Sequence, residues 1–407
     1  MAPPLVSALA HPHAEIPQQI DEEQILVKAQ TLARRLAQTA VQRDREGGHA
    51  ARERELLRES GLLTLSIPAR FGGLGANWPT VYRVIRILAQ ADSALAHVFA
   101  FHHLQLAGIQ LYGNEQQQRQ LLSETVWRRW FWGNALNPLD KRVEASLHPN
   151  GFILDGIKSF SSGSVGSDWL TISAWDGASQ TALIGVVPTD EAGITVESDW
   201  DAFGQRQTDS GNVRFDSVLL PHDFVLQRPG QTSTPQATVR TQVAQLIMTN
   251  LYLGIAQGAF DAAVQYTNTE SRPWFASGVE AAIDDPFIQH RYGELWLLLR
   301  PAVLLADHAA RELERIFRRD VLVRADERGE LAIAVAEAKC LAHRASIEIS
   351  SQMFELTGAR STSERYGFDR FWRNARVHTL HDPIDYKLRD LGRYALNGTL
   401  PEPTAYS

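Results

Sequence analysis

Trp169-Leu170-Thr171-Ile172-Ser173-Ala174-Trp175-Asp176-Gly177 is a β-prone run closed by a turn signal, in the middle of a chain that otherwise reads as helix. Similar runs lie at residues 181–187, 194–196 and 212–220, and Asn150-Gly151 and Asp155-Gly156 mark further turns among them. Strands this short and regularly spaced, with no helical stretch between them, predict an antiparallel sandwich or barrel of roughly 75 residues.

Upstream, Ile25, Leu32, Leu36 and Val41 recur at helical spacing amid many charges, which predicts one or two amphipathic helices over residues 21–57. Pro68, Gly72, Gly73, Gly75 and Pro79 then punctuate a loop, and a helical pattern resumes over residues 80–130. Downstream, a polar connector at residues 228–236 leads into helices over 238–269, 286–324 and 330–357. Asp382 and Pro383 read as the N-cap and first residue of a last helix ending near Asn397. The expected organisation is mainly α with a central β-barrel: an α-helical domain over residues 20–133, the β-barrel over 134–235 and a helical bundle over 236–407.

Composition narrows the classes. The chain has 407 residues, 44% hydrophobic and 21% charged, an ordinary globular balance with ample length for a core that needs neither disulfide nor metal. Its net charge of −7 argues against nucleic acid as a partner. The single cysteine, Cys340, cannot pair internally, and its apolar helical setting suits a buried, inert thiol in a reducing compartment. Residues 1–17 carry no basic residue and no sustained apolar run, so no signal peptide is expected. The best membrane candidate, residues 295–306, is interrupted by Arg300 and Pro301. A cytoplasmic protein with no membrane partner is expected.

The glycine cluster Phe71-Gly72-Gly73-Leu74-Gly75 lacks the spacing of a dinucleotide fingerprint and is followed by no Walker lysine, so it reads as a structural turn. With no nicotinamide site elsewhere, redox electrons must come from outside the chain. The densest chemistry lies in Phe371-Trp372-Arg373-Asn374-Ala375-Arg376-Val377-His378-Thr379-Leu380-His381-Asp382-Pro383. Its two histidines lack a third ligand at metal spacing. His102 and His103, adjacent on a helix, diverge by about 100°. No metal site is expected. His381 directly precedes a helix start, where the macrodipole disfavours a charged imidazole and Asp382 opposes that effect; a neutral imidazole there can exchange a proton near neutral pH. His97 and His103 share a helix over residues 93–111.

The helix–β–helix order, together with Ile67-Pro68 leading into residues 71–75, Gly156-Ile157-Lys158-Ser159-Phe160-Ser161-Ser162-Gly163, Phe203-Gly204-Gln205-Arg206-Gln207-Thr208 and Leu253-Gly254-Ile255-Ala256-Gln257-Gly258-Ala259, resembles the acyl-CoA dehydrogenase superfamily of flavoproteins. The resemblance runs from about residue 20 to the end and implies an α-helical amino domain, a β-barrel and a carboxyl four-helix bundle, assembled as a homotetramer. Dehydrogenases of this superfamily abstract a carbon-bound proton with a glutamate near the last helices or at the start of the bundle. Here residues 378–383 contain no glutamate, and residues 236–254 contain no acid at all. Phe368-Asp369-Arg370-Phe371-Trp372-Arg373-Asn374 followed by His378-Thr379-Leu380-His381-Asp382-Pro383 is similar instead to the branch of reduced-flavin monooxygenases that act in sulfur metabolism.

That branch implies a two-component enzyme. A separate NAD(P)H:flavin reductase delivers reduced FMN, oxygen adds as a flavin C4a-hydroperoxide, and a small apolar, organosulfur substrate is oxygenated. The resemblance assigns His381 and Ser162 to catalysis, Asn134, Phe160, Ser162, Arg272 and Arg360 to flavin binding, and His97, His103 and His378 to the substrate pocket. Arg360 follows Leu356-Thr357-Gly358-Ala359, where dehydrogenases carry part of an FAD-binding surface, and its charge suits the terminal phosphate of FMN. Two other readings stay open: an acyl-CoA dehydrogenase with FAD and a relocated base, and a non-enzymatic helical assembly protein.

Overall fold

Ile25, Ala29, Leu32, Leu36 and Ala40 fall on one face of α1 (Glu22–Glu46) and are buried there, while the charges between them face water. The computed structural model describes residues 21–319 and 322–407, so the reading of residues 1–17 lies outside the described residues. After α2 (Ala51–Glu59) come α3 (Trp78–Ala91), α4 (Ser93–Tyr112) and α5 (Glu115–Arg128), each opened by a side-chain cap: Asn77 accepts from Thr80 N, Asp92 from Ala94 N and Leu95 N, and Asn114 forms a capping box with Gln117. Every residue of α4 from Ser93 to Ile109 is buried, enclosed by α3, α5, α6 and β1. The glycine cluster is a packing turn. A Cβ on Gly73 would lie 2.2 Å from the carbonyl oxygen of Ile67, which leaves no room for a side chain.

The central element is one eight-stranded sheet that begins at residue 132, ahead of the β-prone runs and turn signals read from the sequence. It comprises β1 (Trp132–Ala135), β2 (Val143–His148), β3 (Gly151–Lys158), β4 (Trp169–Asp176), β5 (Thr181–Pro188), β6 (Ile194–Val196), β7 (Val213–Pro221) and β8 (Val225–Gln227). The order is β6-β7-β3-β2-β4-β5-β8, with β1 added on β4. Val143, Leu154, Ile172, Leu183, Phe215 and Leu220 meet in its single core, as in a rolled barrel. Two sequence expectations are corrected. The sheet is mixed, because β4 runs parallel to both β1 and β2. Asp155-Gly156 is not a turn: Gly156 sits inside β3 at a bulge, with φ +132°, where a Cβ would meet Arg142 O at 1.9 Å.

The carboxyl region is built on α6 (Pro235–Thr269), α7 (Pro286–Phe317) and α8 (Ala325–Thr357), completed by α9 (Asp369–Thr379) and α10 (Ile384–Asn397). The small residues of the 253–259 motif let helices touch: a Cβ on Gly254 would lie 2.4 Å from Ala89 Cβ of α3. The expected cap of the last helix is corrected as well. Helix α10 starts at Ile384 with no side-chain cap, because the Asp382 carboxylate is engaged elsewhere. Cys340 is free and buried, and burial pushes its thiol up to about 11. Among the described residues no helix is long and apolar enough to cross a membrane.

Candidate active site

The cap at Asp92 sets the phase of α4 so that His97, Phe101 and Gln105, four residues apart, share one face. The His97 ring stacks on Phe101 at a centroid distance of 4.0 Å and meets His378, near the end of α9, at 4.8 Å. His378 Nδ1 accepts from Gln205 Nε2 at 3.2 Å, and its carbonyl accepts from the Tyr252 hydroxyl at 3.0 Å. Burial, with a smaller contribution from His381, pushes His97 down to about 3, and burial next to His97 and His381 holds His378 well below the usual histidine range. Both rings are therefore neutral. Both nitrogens of His97, Nε2 of His378 and Oε1 of Gln205 are buried without a hydrogen-bond partner. Orphans gathered this closely mark a site shaped for a ligand.

The sheet supplies a neighbouring surface, joined to this face of α4 where Gln105 Nε2 donates to Asn134 Oδ1 at 3.3 Å. Between β3 and β4 the chain turns at Phe160, whose φ of +56° is unusual for a residue with a side chain, and its ring is 70% exposed, edge-on to Trp200 at 5.9 Å. Backbone bonds stitch this turn to β1 and to the loop before β7: Asn134 N to Ser162 O at 2.9 Å, Ser161 N to Gly211 O at 3.0 Å, and Gly163 N to Thr208 O at 2.8 Å. Ser162 Oγ and Ser210 Oγ are 2.8 Å apart, Thr208 Oγ1 bonds Ser210 at 2.8 Å, and Ser161 Oγ is a further buried orphan. Arg54, buried, holds Asp209 of the same loop at 3.1 Å. An exposed aromatic ring, hydroxyls and unpartnered buried polar atoms fit a planar heteroaromatic ring with polar edges such as a flavin.

At the α9–α10 junction His381 Nδ1 is 3.0 Å from Asp382 Oδ1, and the same oxygen accepts from Lys339 Nζ of α8 at 2.5 Å. Lys339 also donates to Gln245 Oε1 at 2.6 Å. Burial alone would raise the Asp382 carboxyl, but the His381 hydrogen bond and the Lys339 charge outweigh it and hold the group well below the usual carboxylate range. This geometry replaces the helix-dipole picture drawn from sequence: what orients His381 is a carboxylate, and what keeps that carboxylate charged is a buried lysine. The sequence reading missed Lys339, Gln205, Gln105 and Tyr252. The one available signal was a lysine within the small-residue stretch Ala338-Lys339-Cys340.

The remaining sequence candidates lie elsewhere. His103 projects from the other side of α4, with Nδ1 2.8 Å from Ser66 Oγ and its ring against Phe99, so the structure does not bring it together with His97. Arg272 is exposed and makes no hydrogen bond or ion pair among the described residues. Arg360 is exposed too and donates to Glu270 O at 2.8 Å, which places both arginines beyond the carboxyl end of α6. At the helical rise, the end of α6 at Thr269 is about 26 Å along the helix from Tyr252. Among the described residues no group of three or more His, Cys, Asp or Glu side chains is arranged to hold a metal ion.

Comparisons with known proteins agree with this architecture. The acyl-CoA dehydrogenase N-terminal domain matches residues 21–127 and the acyl-CoA dehydrogenase C-terminal domain matches residues 246–386. The chain is 46% identical over 383 residues to the probable FMNH2-dependent monooxygenase SfnC of Pseudomonas putida, covering 94% of this chain and 97% of that protein. The methanesulfinate monooxygenase MsuC from Pseudomonas fluorescens superimposes with a TM-score of 0.92 at 47% identity, covering 94% of this chain and 99% of that one. The FMN-bound dibenzothiophene monooxygenase TdsC from Paenibacillus sp. A11-2 does so with 0.91 at 40% identity, covering 94% and 100%. With its fold, its α9–α10 junction and these relatives along almost its whole length, the chain belongs to the acyl-CoA dehydrogenase superfamily, in the branch of flavin-dependent monooxygenases.

Proposed function

We propose that this protein is the oxygenase of a two-component system that uses reduced FMN, delivered by a separate NAD(P)H:flavin reductase, to oxygenate an organosulfur compound. The observation that carries the reading is the α9–α10 junction, where a His381 imidazole oriented by Asp382 and Lys339 stands in a chain stretch without a glutamate. Reduced FMN supplies two electrons, so that one atom of O2 can pass to the substrate and the other leave as water.

The geometry supports a division of roles among the residues. Asp382 accepts from His381 Nδ1–H, which leaves Nε2 to hold or donate a proton. Neutral His97 and His378 add polar atoms without adding charge, and the rings of Phe101, Phe160 and Tyr252 keep water from the reacting centre. Phe160, Ser162 and Asn134 form the flavin wall.

Arg272 and Arg360 complete a phosphate site belonging to a second copy, which is why they stand so far from His378. The chain therefore works as a homo-oligomer, a tetramer, and the exposed Phe287, Trp296, Leu297 and Leu304 of α7 supply an apolar face for it. A lone buried thiol suits a cytoplasmic setting.

The test is to mix the protein with anaerobically reduced FMN, add oxygen and record the spectrum, with and without an organosulfur substrate. A lasting absorbance distinct from both reduced and oxidised flavin, together with oxygenated product, is expected. Flavin reoxidation as fast as in buffer, with no product, overturns the reading; bleaching of a bound flavin by an acyl-CoA would restore the dehydrogenase.

A further inference from the structure

Arg240 of α6 is a buried cation without a counter-charge. Its side chain lies in a residue only 8% exposed; Nη2 donates to Gln105 Oε1 at 3.2 Å, and Nε has no partner. No carboxylate among the described residues pairs with it, and the titratable group that acts on it is the buried phenol of Tyr112. Two other buried arginines are matched to carboxylates, Arg43 to Asp92 at 2.6 Å and Arg54 to Asp209 at 3.1 Å, while buried Arg328 donates to Thr238 Oγ1 and Ser407 O. The helix opposite makes room for Arg240. Gly108 of α4 faces the guanidinium, and a Cβ there would press on Nε at 3.2 Å.

The cation stands at the far end of the same α4 face, about 12 Å along the helix from His97 and against the sheet wall at Asn134. Gln105 continues the His97–Phe101 stripe of α4, and its Nε2 donates to Asn134 Oδ1 at 3.3 Å, beside the Ser162 turn. One end of the α4 stripe thus carries His97 against His378, and the other carries Gln105 and Arg240. A buried charge is tolerated when something brings the opposite charge to it, and a guanidinium with free N–H groups matches a pair of anionic oxygens.

We propose that Arg240, assisted by Gln105, binds the anionic head group of the substrate, and that the substrate is a small sulfinate, R–SO2⁻, in preference to a neutral aromatic sulfur compound. This rests on the oxygenase reading above. The sulfinate oxygens occupy the guanidinium and leave the sulfur lone pair free on the opposite side. A new S–O bond forms there as the O–O bond breaks. Sulfur gives two electrons and becomes a sulfonate, R–SO3⁻, while reduced FMN gives two electrons and two hydrogens, and the second oxygen leaves as water. The charge on the substrate is the same before and after, so one cation serves both.

The test compares the wild type with Arg240→Met and Arg240→Lys, using methanesulfinate and dibenzothiophene with reduced FMN and oxygen, and calorimetric titration of methanesulfinate into the protein without oxygen. For Arg240→Met the ratio of kcat/KM for methanesulfinate to that for dibenzothiophene falls about 100-fold, the loss expected for two charge-assisted hydrogen bonds. Methanesulfinate binding disappears from the titration, and Arg240→Lys keeps an intermediate affinity. Without substrate the Tm of Arg240→Met equals or exceeds that of the wild type, because an unpaired buried charge is gone. A lower Tm with both substrates equally impaired would make Arg240 structural and overturn the proposal, as would unchanged methanesulfinate binding. Wild-type oxygenation of dibenzothiophene but not methanesulfinate overturns the substrate class and leaves the oxygenase standing. Oxygenation of neither, with flavin reoxidised as in buffer, removes both.

Discussion

Lys339 Nζ lies 2.5 Å from Asp382 Oδ1 with the two side chains 1% and 5% exposed, so opposite charges from α8 and the α9–α10 junction are held together in the interior. Each makes the other tolerable, and His381 shares the same carboxylate oxygen. Removing one partner strands the other without water. Lys339→Met is expected to cost about 3–5 kcal/mol of stability. Lys339→Met combined with Asp382→Asn should recover much of it, because no charge is then left unpaired. Chemical unfolding of the two single variants and the double variant measures the coupling. Additive losses would show that the pair is not a unit.

His381→Ala is expected to lower oxygenated product per reduced flavin by about 100-fold or more, the range of a lost positioned proton donor. FMN affinity should be unchanged, because Phe160, Ser162 and Asn134 lie on the sheet wall. Product yield equal to the wild type would take His381 out of the chemistry.

Arg272→Ala should weaken FMN by about tenfold or more, as expected on loss of a charge-assisted contact to phosphate, and leave riboflavin binding nearly unaffected. Arg360→Ala should act in the same sense. Fluorescence titration with both flavins decides it, and equal losses for the two would separate these arginines from the phosphate.

The buried imidazoles give stability a pH dependence of definite sign. Burial pushes His97 and His102 from 6.5 down to about 3, while in the unfolded chain they take up protons at ordinary values. Over the window from about pH 6.5 down to about pH 3 the unfolded state therefore binds more protons, so stability is intact above pH 6.5 and falls as pH drops through that window. His97→Phe should remove one proton from the slope, about 1.4 kcal/mol per pH unit at its steepest. Unfolding free energies measured between pH 5 and 7 check this, and an unchanged slope in the variant would show that His97 is not the group titrating.

Much of the plan of the molecule was readable in the chain because it is written locally. Helical spacing in residues 25–41 marks α1, the Asp176-Gly177 turn closes the β4–β5 hairpin, and the missing glutamate at residues 378–383 points to the oxygenase branch. Local signals failed where a residue had a distant partner. Asp382 looked like a helix cap, but a buried ammonium 43 residues away takes its carboxylate. Asp155-Gly156 looked like a turn, but β7 continues pairing past it and turns it into a bulge.

The sequence by itself determined the order of the elements and the family, since those depend on neighbours along the chain. Only the tertiary structure decided that His97 and His378 meet while His103 faces Ser66, that Lys339 keeps Asp382 charged, and that Arg240 reaches Gln105 135 residues away with no carboxylate among the described residues to meet it. The physical reason is burial: whether a charge is paired, and what it costs to leave it unpaired, depends on what the fold places around it once water is gone.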